Sequence, residues 1–395
     1  MSFALNHETL PTELWLEIFA HLGECPYTTS YTPFQPLLGG DVKSAYTSVV
    51  LVCRNWHAWA IGLLWCNFKF PDTASTQADD SLMDIQRKYG KWVQRVVLPY
   101  SSTVTESYKP ILSTNMLELY PNLQILIRPP HRQSPFQTLR YDFDTTCPPL
   151  FSLRRLDWWH YSDASRTGGI NSLMDVLSAA PNLEYLFVGV EHWQPTYFPH
   201  PPLLHIHLTS LRTLRLSVRR QWVRVMDHIL KLSLPALETL IIDAAVADER
   251  MTVMWETFGS QFRVVEFGKG VRFGSGLTCL QTLQTCPSLR ELNYYLFKTP
   301  LPETGPDIVY PSLTSIGFHV GDISPAEWEL VEWEFLEQHF NVLVGGMLPD
   351  LRHLRVFGAG EQVFAHIRFR ALHERLTAQG YVLEVVTHSS SSTSS

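Results

Sequence analysis

The residues whose types and spacing come nearest to cofactor chemistry are three glycines in the second half of the chain. Gly268, Gly270 and Gly274 follow an apolar run that begins at Val264. A glycine-rich loop can bring its backbone against the pyrophosphate of a dinucleotide, but that loop has the spacing Gly-x-Gly-x-x-Gly, which is one residue shorter. Because the spacing differs, we expect an ordinary strand-to-helix connection here and no cofactor.

Two further patterns resemble a metal-ligand pair and a nucleophile. His205 and His207 lie on one side of an extended segment, as two zinc ligands would, but no third ligand follows nearby. Ser275 stands between two glycines, yet a nucleophile elbow needs glycine two residues away on each side, where Phe273 and Leu277 stand. We expect a surface histidine pair, no metal site and no catalytic residue.

The composition favours a large folded protein. The chain has 395 residues, 45% of them hydrophobic and 17% charged, with a formal net charge of -7. These values exclude wholesale disorder and argue against a nucleic-acid-binding domain. The 12 Trp and 15 Tyr residues must be buried or used as contact surface. The six cysteines form no C-x-x-C pair, so we expect free thiols in a reducing compartment.

Neither a targeting peptide nor a membrane span is expected. Met1–Glu8 has neither the basic nor the apolar region of a signal peptide. The most apolar stretch, Val49–Phe68, contains Arg54, Asn55 and His57, so it predicts a buried helix rather than a bilayer span. We expect a cytoplasmic and/or nuclear protein that binds neither membrane nor nucleic acid.

A short phrase recurs ten times along the chain: often Pro, then any residue, then Leu-x-x-Leu-x-apolar. The first apolar residues of successive copies are 24 to 30 residues apart, except for one interval of 38. Leucine-rich repeats recur at about 20–29 residues, with a strand and a helical segment in each. The copies begin at Val93, Leu123, Leu153, Leu183, Leu211, Leu237, Phe262, Leu289, Leu313 and Leu351.

The repeat predicts an α/β fold. The later apolar residues of each phrase point to one side of a strand, because strand side chains alternate. Between phrases the apolar residues have helical spacing, as at Met174 and Leu177, and the next proline, here Pro181, ends the helix. We therefore predict a leucine-rich-repeat-like βα solenoid, a horseshoe, over residues 80–387. Its last elements are predicted as a helix at Pro325–Val344, a helix at Glu361–Gln379 and a strand at Tyr381–Val386, before a disordered Ser-rich tail at 388–395.

Residues 1–70 lack the repeat and predict a short all-α unit. Pro11 opens a helix in which Leu14, Ile18 and Leu22 lie on one face, and a second apolar segment, Val49–Trp65, follows a long loop at 23–48. So small a unit buries only a marginal core, and an apolar face exposed on it usually binds a partner.

This unit resembles an F-box. The family pattern is Leu-Pro-x-Glu-apolar-apolar-x-x-Ile-Phe-x-x-Leu, then Val-Cys/Ser-Arg-x-Trp and a closing Leu-Trp. The chain matches it from Leu10 to Leu22, from Val52 to Trp56 and at Leu64-Trp65, although the loop at 23–48 is longer than the family's usual link. An F-box followed by leucine-rich repeats is an arrangement found in substrate receptors of SCF-type, cullin-based ubiquitin ligases.

The resemblance implies a non-catalytic subunit of such a ligase. The helices would bind a Skp-family adaptor, and through it a cullin, while the solenoid would bind a target protein. The residues implied to face the adaptor, or to support that surface, are Leu10, Pro11, Leu14, Ile18, Leu22, Val52, Cys53, Trp56 and Leu64.

The target is expected on the strand face of the solenoid. Residues between the core positions of the phrases mix Arg, aromatic and acidic side chains, and Arg and aromatic residues are enriched in interface hot spots. The candidate target-binding residues are Arg155, Asp157, Trp159, Tyr185, Phe187, Arg215, Glu291, Tyr295, His353, Arg355 and Phe357, and Arg95, Asp243, Glu266 and Asn293 share their face.

Two other functions stay open from the residues. The phrases could be buried parallel strands of an α/β enzyme that uses a nucleotide or a metal, although such an enzyme needs convergent polar residues at the strand ends. The chain could also be a leucine-rich-repeat scaffold without a link to ubiquitin.

Overall fold

The structure is a computed structural model that describes most of the chain. Leu10, most of the loop at 23–48 and the predicted tail at 388–395 lie outside the described residues. The described residues are 11–22, 31–35, 37, 46–69, 79–98, 114–130, 147–160, 169–190, 206–218, 223–244, 249–271, 279–299, 309–310, 312–321, 330–344, 348–358, 363 and 365–386.

The fold is α/β, as predicted, and the described residues include a parallel sheet of twelve strands that follow one another in chain order. The strands are β1 (Asn67–Lys69), β2 (Arg95–Val97), β3 (Ile125–Arg128), β4 (Arg155–His160), β5 (Tyr185–Val190), β6 (Thr213–Val218), β7 (Thr239–Ala244), β8 (Val264–Gly270), β9 (Glu291–Tyr295), β10 (Ser315–His319), β11 (His353–Phe357) and β12 (Val382–Val386). The helices are α1 (Thr12–Leu22), α2 (Tyr46–Val50), α3 (Arg54–Leu64), α4 (Asp79–Tyr89), α5 (Leu173–Ala179), α6 (Val223–Ile229), α7 (Glu249–Phe258), α8 (Cys279–Thr285), α9 (Leu330–Leu343) and α10 (Ile367–Ala378).

The recurring phrase determines where each strand begins. In all ten copies the strand starts two residues after the first apolar residue, so that Leu289, for example, precedes β9 at Glu291. The turns before β2–β5 and β7–β11 share a hydrogen-bond pattern in which one carbonyl accepts from two successive amides. Arg263 O, for example, accepts from Arg290 N at 2.8 Å and from Glu291 N at 3.0 Å. The prediction of ten strands is confirmed.

The core lies on the strand side that carries the later apolar residues of each phrase. Leu240 of β7, Val265 of β8 and Leu292 of β9 stand side by side in the register, and all three are buried. Ile316 and Leu354 form the corresponding pair of β10 and β11. Alternation along each strand therefore places the intervening residues on the opposite face.

The prediction of one buried helix over Val49–Phe68 is wrong. The chain forms α2, breaks at residues 51–53, forms α3 and then enters β1, which lies inside the region predicted to be all-α. Cys53 has extended backbone angles and caps α3, because its Sγ accepts from Trp56 N at 3.5 Å. Leu51 and Val52 are 78% and 60% exposed, and Ala60 is the one fully buried residue of α3.

The C-terminal elements lie near their predicted places. The helix predicted from Pro325 is described from Leu330, as α9, since residues 322–329 lie outside the described part. Within the helix predicted at Glu361–Gln379, Val363 and Ala365 are helical, the chain bends at His366, and α10 begins at Ile367. His366 is the N-cap of α10 and accepts from Arg368 N at 3.3 Å. In the described part of the chain, no helix combines the length and apolarity that a membrane span needs.

The contacts divide the chain into two compact units. The first consists of Met1–Ser30, Leu37–Leu186 and Glu191–Thr209, and the second of Tyr31–Pro36, Phe187–Val190 and Ser210–Ser395. The short segment Tyr31–Pro36 thus groups with β6–β12 rather than with its neighbours in sequence.

Candidate functional site

Polar and aromatic side chains form one face of the sheet in the second unit. The parallel register aligns Arg215, Ile241, Glu266, Asn293 and Gly317 as equivalent positions of five neighbouring strands. A second row, two residues further along the strands, aligns Tyr295, His319 and Phe357. We call this surface the polar face and define it as Arg215, Asp243, Glu266, Glu291, Asn293, Tyr295, His319, Arg355 and Phe357.

Hydrogen bonds and ion pairs fix the side chains of the polar face. Arg215 forms a two-pronged ion pair with Asp243, with Nε and Nη2 at 2.6 and 2.9 Å from the carboxylate oxygens. Glu291 Oε1 accepts from Asn293 Nδ2 at 2.6 Å and pairs with Arg355 Nη2 at 2.7 Å. Charge-assisted contacts of this length hold side chains in one orientation, so the face is pre-organised.

Gly317 makes room for this network. A Cβ at this position would overlap Asn293 Oδ1 and would stand 3.0 Å from Phe357 Cε2. Any side chain at residue 317 would therefore displace the Asn293 amide from Glu291. The glycine at position 317 therefore leaves the space that the Asn293 amide and the Phe357 ring occupy.

The chain's own segment Tyr31–Gln35 lies on the polar face. Glu266 Oε2 accepts from Tyr31 OH at 2.7 Å and from Phe34 N at 2.8 Å. Asn293 Nδ2 donates to Tyr31 OH at 2.6 Å, and Arg215 Nη1 donates to Gln35 O at 2.6 Å. The face thus contacts both a side chain and the backbone of this segment.

The Phe34 ring enters an aromatic cage. It meets Tyr295, His319 and Phe357 edge to face, with ring centroids 5.4, 5.0 and 5.0 Å away. Tyr295 and His319 also stack on each other at 4.3 Å. Edge-to-face pairs at this separation are worth about 0.5–1.5 kcal/mol each beyond their buried area, so the cage is selective for an aromatic ring.

A tight turn presents the Phe34 ring to the cage. Gln35 N donates to Thr32 O at 3.3 Å, which closes the turn across Pro33 and Phe34. Phe34 has φ of 56°, in the left-handed region that favours glycine. Proline in the second position and a left-handed third residue are typical of a type II turn.

Burial perturbs the ionisable groups of this contact. Desolvation raises the pKa of Glu266 to about 7, although hydrogen bonds from Phe34 N and Tyr31 OH and the charge of Arg215 lower it in part. Burial, followed by the charges of Glu266 and Glu291, raises the pKa of Tyr31 well above its ordinary value. The Tyr31 hydroxyl therefore stays protonated and donates to Glu266.

A cavity continues beside Tyr31. Its volume is about 360 Å³, and it lies where several strands of the second unit begin. The lining residues are Tyr31, Glu238, Thr239, Arg263, Val264, Arg290, Glu291, Thr314 and Ser315. The segment thus leaves part of this charged surface uncovered.

The predicted target-binding residues of the second unit fall into three groups. Arg215, Tyr295 and Phe357 contact Tyr31–Gln35 directly, and Glu291 and Arg355 support Asn293 from the side. His353 is exposed at the start of β11, and Phe187 is buried.

The predicted target-binding residues of β4 and β5 in the first unit are mostly buried. Arg155 forms a two-pronged ion pair with Asp157, at 3.0 and 3.2 Å, and its guanidinium lies 4.0 Å from the Tyr185 ring centre. All three are nearly inaccessible to solvent, whereas Trp159 is half-buried. Their charges are therefore compensated inside the fold.

The sequence prediction missed the residues that fill the polar face. Tyr31 and Phe34 belong to a loop with no periodic pattern, and His319 was not among the candidates. The available signal was the dipeptide Pro33-Phe34, since proline favours a turn and a large aromatic side chain gains most by being buried.

The helices α1, α2 and α3 form a second candidate surface, in the first unit. Phe19, Val49, Val50 and Ala60 are buried together, and Trp15 and Trp56 pack against Phe19, tilted and edge to face, with ring centroids 5.8 and 5.0 Å from it. The half-buried Leu64 packs against this core as well.

Other apolar residues of these helices point to solvent. Leu14 and Ile18 on α1 are 44% and 41% exposed, and Val52 and Cys53 before α3 are also exposed, as is Pro11. Trp56 and Leu64 therefore support the surface from within, whereas Leu14, Ile18 and Val52 form it. Leu10 and the Leu22 side chain lie outside the described part of the chain.

Some residues of the motifs that resemble a cofactor loop, a metal-ligand pair and a nucleophile lie in the described part of the chain. Gly268 and Gly270 lie within β8, where a Cβ on Gly268 would stand 2.7 Å from Asp243 Oδ1. His207 is exposed, while His205, Gly274 and Ser275 lie outside the described residues. Burial raises the pKa of the Cys279 thiol to about 12. Among the described residues, no group of three His, Cys, Asp or Glu side chains could hold a metal ion.

Comparison with known proteins gives no family. No protein-family model and no curated protein sequence matches the chain.

Proposed function

We propose that the protein is the substrate receptor of an SCF-type cullin ubiquitin ligase. Helices α1–α3 bind a Skp-family adaptor, which connects the chain to a cullin, and the polar face binds the target protein. The chain acts in the cytoplasm and/or the nucleus, where these ligases work. It contributes no catalytic residue and needs no cofactor.

We further propose that the sheet belongs to a leucine-rich-repeat-like solenoid. The support is the ten phrases, each with a strand two residues after its first apolar residue, and the parallel order of the strands. In such a solenoid each unit buries its apolar side against its neighbours only.

The mechanism is one of proximity. A target held on the polar face is brought near a ubiquitin-charged enzyme that the cullin carries. Holding two reactants together converts a bimolecular transfer into an effectively unimolecular one, which increases the rate without any catalytic group on the receptor.

The observation that carries the proposal is the exposed apolar surface of α1 and the residues before α3. Leu14, Ile18 and Val52 occupy the apolar positions of the F-box pattern, and each is exposed beside a well-packed core. Leu14 and Ile18 are one helical turn apart and so are neighbours on α1, and neighbouring exposed apolar side chains on a small helical unit usually mark an interaction site.

Adaptor binding tests the proposal. Leu14→Asp with Ile18→Asp introduces two carboxylates into the interface, and burying such charges without partners costs several kcal/mol. We expect the double variant to bind a purified Skp-family adaptor at least about a hundredfold more weakly than wild type, measured by pull-down and by titration calorimetry.

Leu16→Asp is the matched control. Leu16 lies on the same helix and is 40% exposed, much like Leu14 and Ile18, but it occupies a variable position of the F-box pattern. We expect Leu16→Asp to bind the adaptor as wild type does. Equal binding by all variants, or none by wild type, would contradict the proposal and favour a scaffold without a link to ubiquitin.

A further inference from the structure

We propose that Tyr31–Gln35 is a built-in ligand of the polar face, and that the target protein offers this face a segment of the same chemistry, a tyrosine followed by a Pro-Phe turn. The inference relies on the proposed function only in assigning the polar face to the target. The chain's own segment and the target then compete for one site.

The contacts are those of a site that recognises a peptide. Glu266 contacts a phenol hydroxyl and a backbone amide, and Arg215 contacts a backbone carbonyl. The two residues joined by each of these three hydrogen bonds are 235, 232 and 180 residues apart in sequence. Since the hydrogen bonds involve main-chain groups and one tyrosine, another chain with the same short motif can make them.

The conformation of Phe34 also indicates a ligand rather than a structural loop. A left-handed conformation costs a residue with a Cβ roughly 1–2 kcal/mol. The strain is offset by contacts of the polar face: the three rings of the cage and the hydrogen bond from Phe34 N to Glu266. The turn is therefore shaped by the site that binds it.

The segment is bound without being part of the core. Thr32 is exposed, and Tyr31, Pro33, Phe34 and Gln35 are half-buried. The cavity of about 360 Å³ beside Tyr31 is lined by charged residues of both signs, including Glu238, Arg263 and Arg290. A target can therefore extend past the tyrosine and contact charges that the built-in segment leaves uncovered.

The built-in segment regulates access to the face. A ligand that belongs to the same chain as its site has a high effective concentration, because its binding is intramolecular. A free segment with the same contacts therefore binds wild type only weakly, because the competent face is a minor population. A target that also occupies the charged cavity has the additional contacts that displacement requires.

Binding of a labelled peptide in trans tests the inference on the full chain. The probe is a fluorescein-labelled peptide with the sequence Tyr-Thr-Pro-Phe-Gln-Pro, and the readout is fluorescence anisotropy. We expect Tyr31→Ala with Phe34→Ala to bind the probe at least tenfold more tightly than wild type, since the site is then open. Thr32→Ala, whose side chain is exposed, is the control and should bind as wild type does.

The site itself is tested by adding Tyr295→Ala to the double variant, which removes one wall of the cage and should abolish the gain. Equal affinity of the double variant and wild type would overturn the inference, provided that circular dichroism shows the same fold. If the double variant fails to fold, wild type with 4-fluorophenylalanine at position 34 alone replaces it. A ¹⁹F resonance that stays unchanged at millimolar peptide would overturn the inference. A change to the chemical shift of a ring that has left the cage would support it.

Adaptor capture, measured on the same variants, separates this inference from the proposed function. Tyr31→Ala with Phe34→Ala leaves α1 intact, so adaptor capture should persist. Retained capture without a gain in peptide binding would overturn the inference alone. If the double variant gains peptide binding but neither it nor wild type captures the adaptor, the ligase assignment alone is overturned.

Discussion

Phe34 is the residue on which most contacts of the polar face converge. Its left-handed φ of 56° costs roughly 1–2 kcal/mol. Three edge-to-face contacts, at about 0.5–1.5 kcal/mol each, together with the hydrogen bond from Phe34 N to Glu266, offset that cost. The loss of one ring of the cage, or of the hydrogen bond to Glu266, would therefore weaken the binding of the segment.

Glu266 makes the contact dependent on pH. Its pKa rises from the ordinary value of 4.5 to about 7 in the folded chain, mainly through burial. The folded state therefore binds this proton more tightly than the unfolded state. The stabilisation is fully present below about pH 4.5 and is lost as the pH rises to about 7.

The variant Glu266→Gln tests this dependence, because a glutamine keeps a hydrogen-bond acceptor but does not titrate. We expect the free energy of unfolding of wild type to fall relative to that of Glu266→Gln as the pH rises from 5 to 7. The slope for one proton is at most about 1.4 kcal/mol per pH unit. Urea unfolding at several pH values measures it, and parallel profiles for the two proteins would contradict the burial of this carboxyl.

The sequence predicted the positions of individual residues correctly where side chains alternate regularly along a strand. Strand alternation placed Arg215, Glu266 and Asn293 on one face, and the register confirms this. The contact of Tyr31 with Glu266 joins residues 235 apart through a loop without periodicity. Local pattern contains no information about such a contact, so the occupant of the face could not be predicted.

At the scale of elements, the phrase Leu-x-x-Leu defines a strand through two requirements. The first apolar residue closes the turn before the strand, as Leu237 N does by donating to Leu234 O at 3.2 Å. The next apolar residue, here Leu240, points into the core. The turn-closing hydrogen bond is present in eight of the ten copies, and the next apolar residue is buried in all ten, which is why the strands could be predicted.

Replacing a core residue of the phrase should cost far more than replacing an exposed apolar residue nearby. Leu240→Ala leaves a cavity beside Val265, and we expect it to lower the free energy of unfolding by about 2–5 kcal/mol. Val253→Ala on α7 is the control, because Val253 is 41% exposed, and its cost should stay below about 1 kcal/mol. Urea unfolding followed by circular dichroism measures both, and similar losses would argue against the core assignment.

The elements that sequence patterns missed are short ones. β1 has three residues and no complete phrase before it, yet Cys66 O accepts from Gln94 N and Arg95 N as in the other turns. The break between α2 and α3 has neither proline nor glycine, and it depends on the cap that Cys53 forms. Such features follow from tertiary contacts and single hydrogen bonds rather than from hydrophobic periodicity.

For the whole molecule, the two proposed binding functions belong to different units. Helices α1–α3, with their exposed apolar residues, lie in the first unit, and the polar face with Tyr31–Gln35 lies in the second. The abundance of aromatic residues has two sources, since Trp15 and Trp56 build the helical core and Tyr295 and Phe357 build the cage. A receptor needs this division, because one surface must hold the ligase while the other exchanges targets.

The most direct test of the receptor assignment is the stoichiometry of the complex with the adaptor. Wild-type chain and a purified Skp-family adaptor are mixed and analysed by sedimentation velocity, with and without the N-terminal half of a cullin. We expect a one-to-one complex that gains mass when the cullin is added. Separate sedimentation of the chain and the adaptor at micromolar concentration would contradict it.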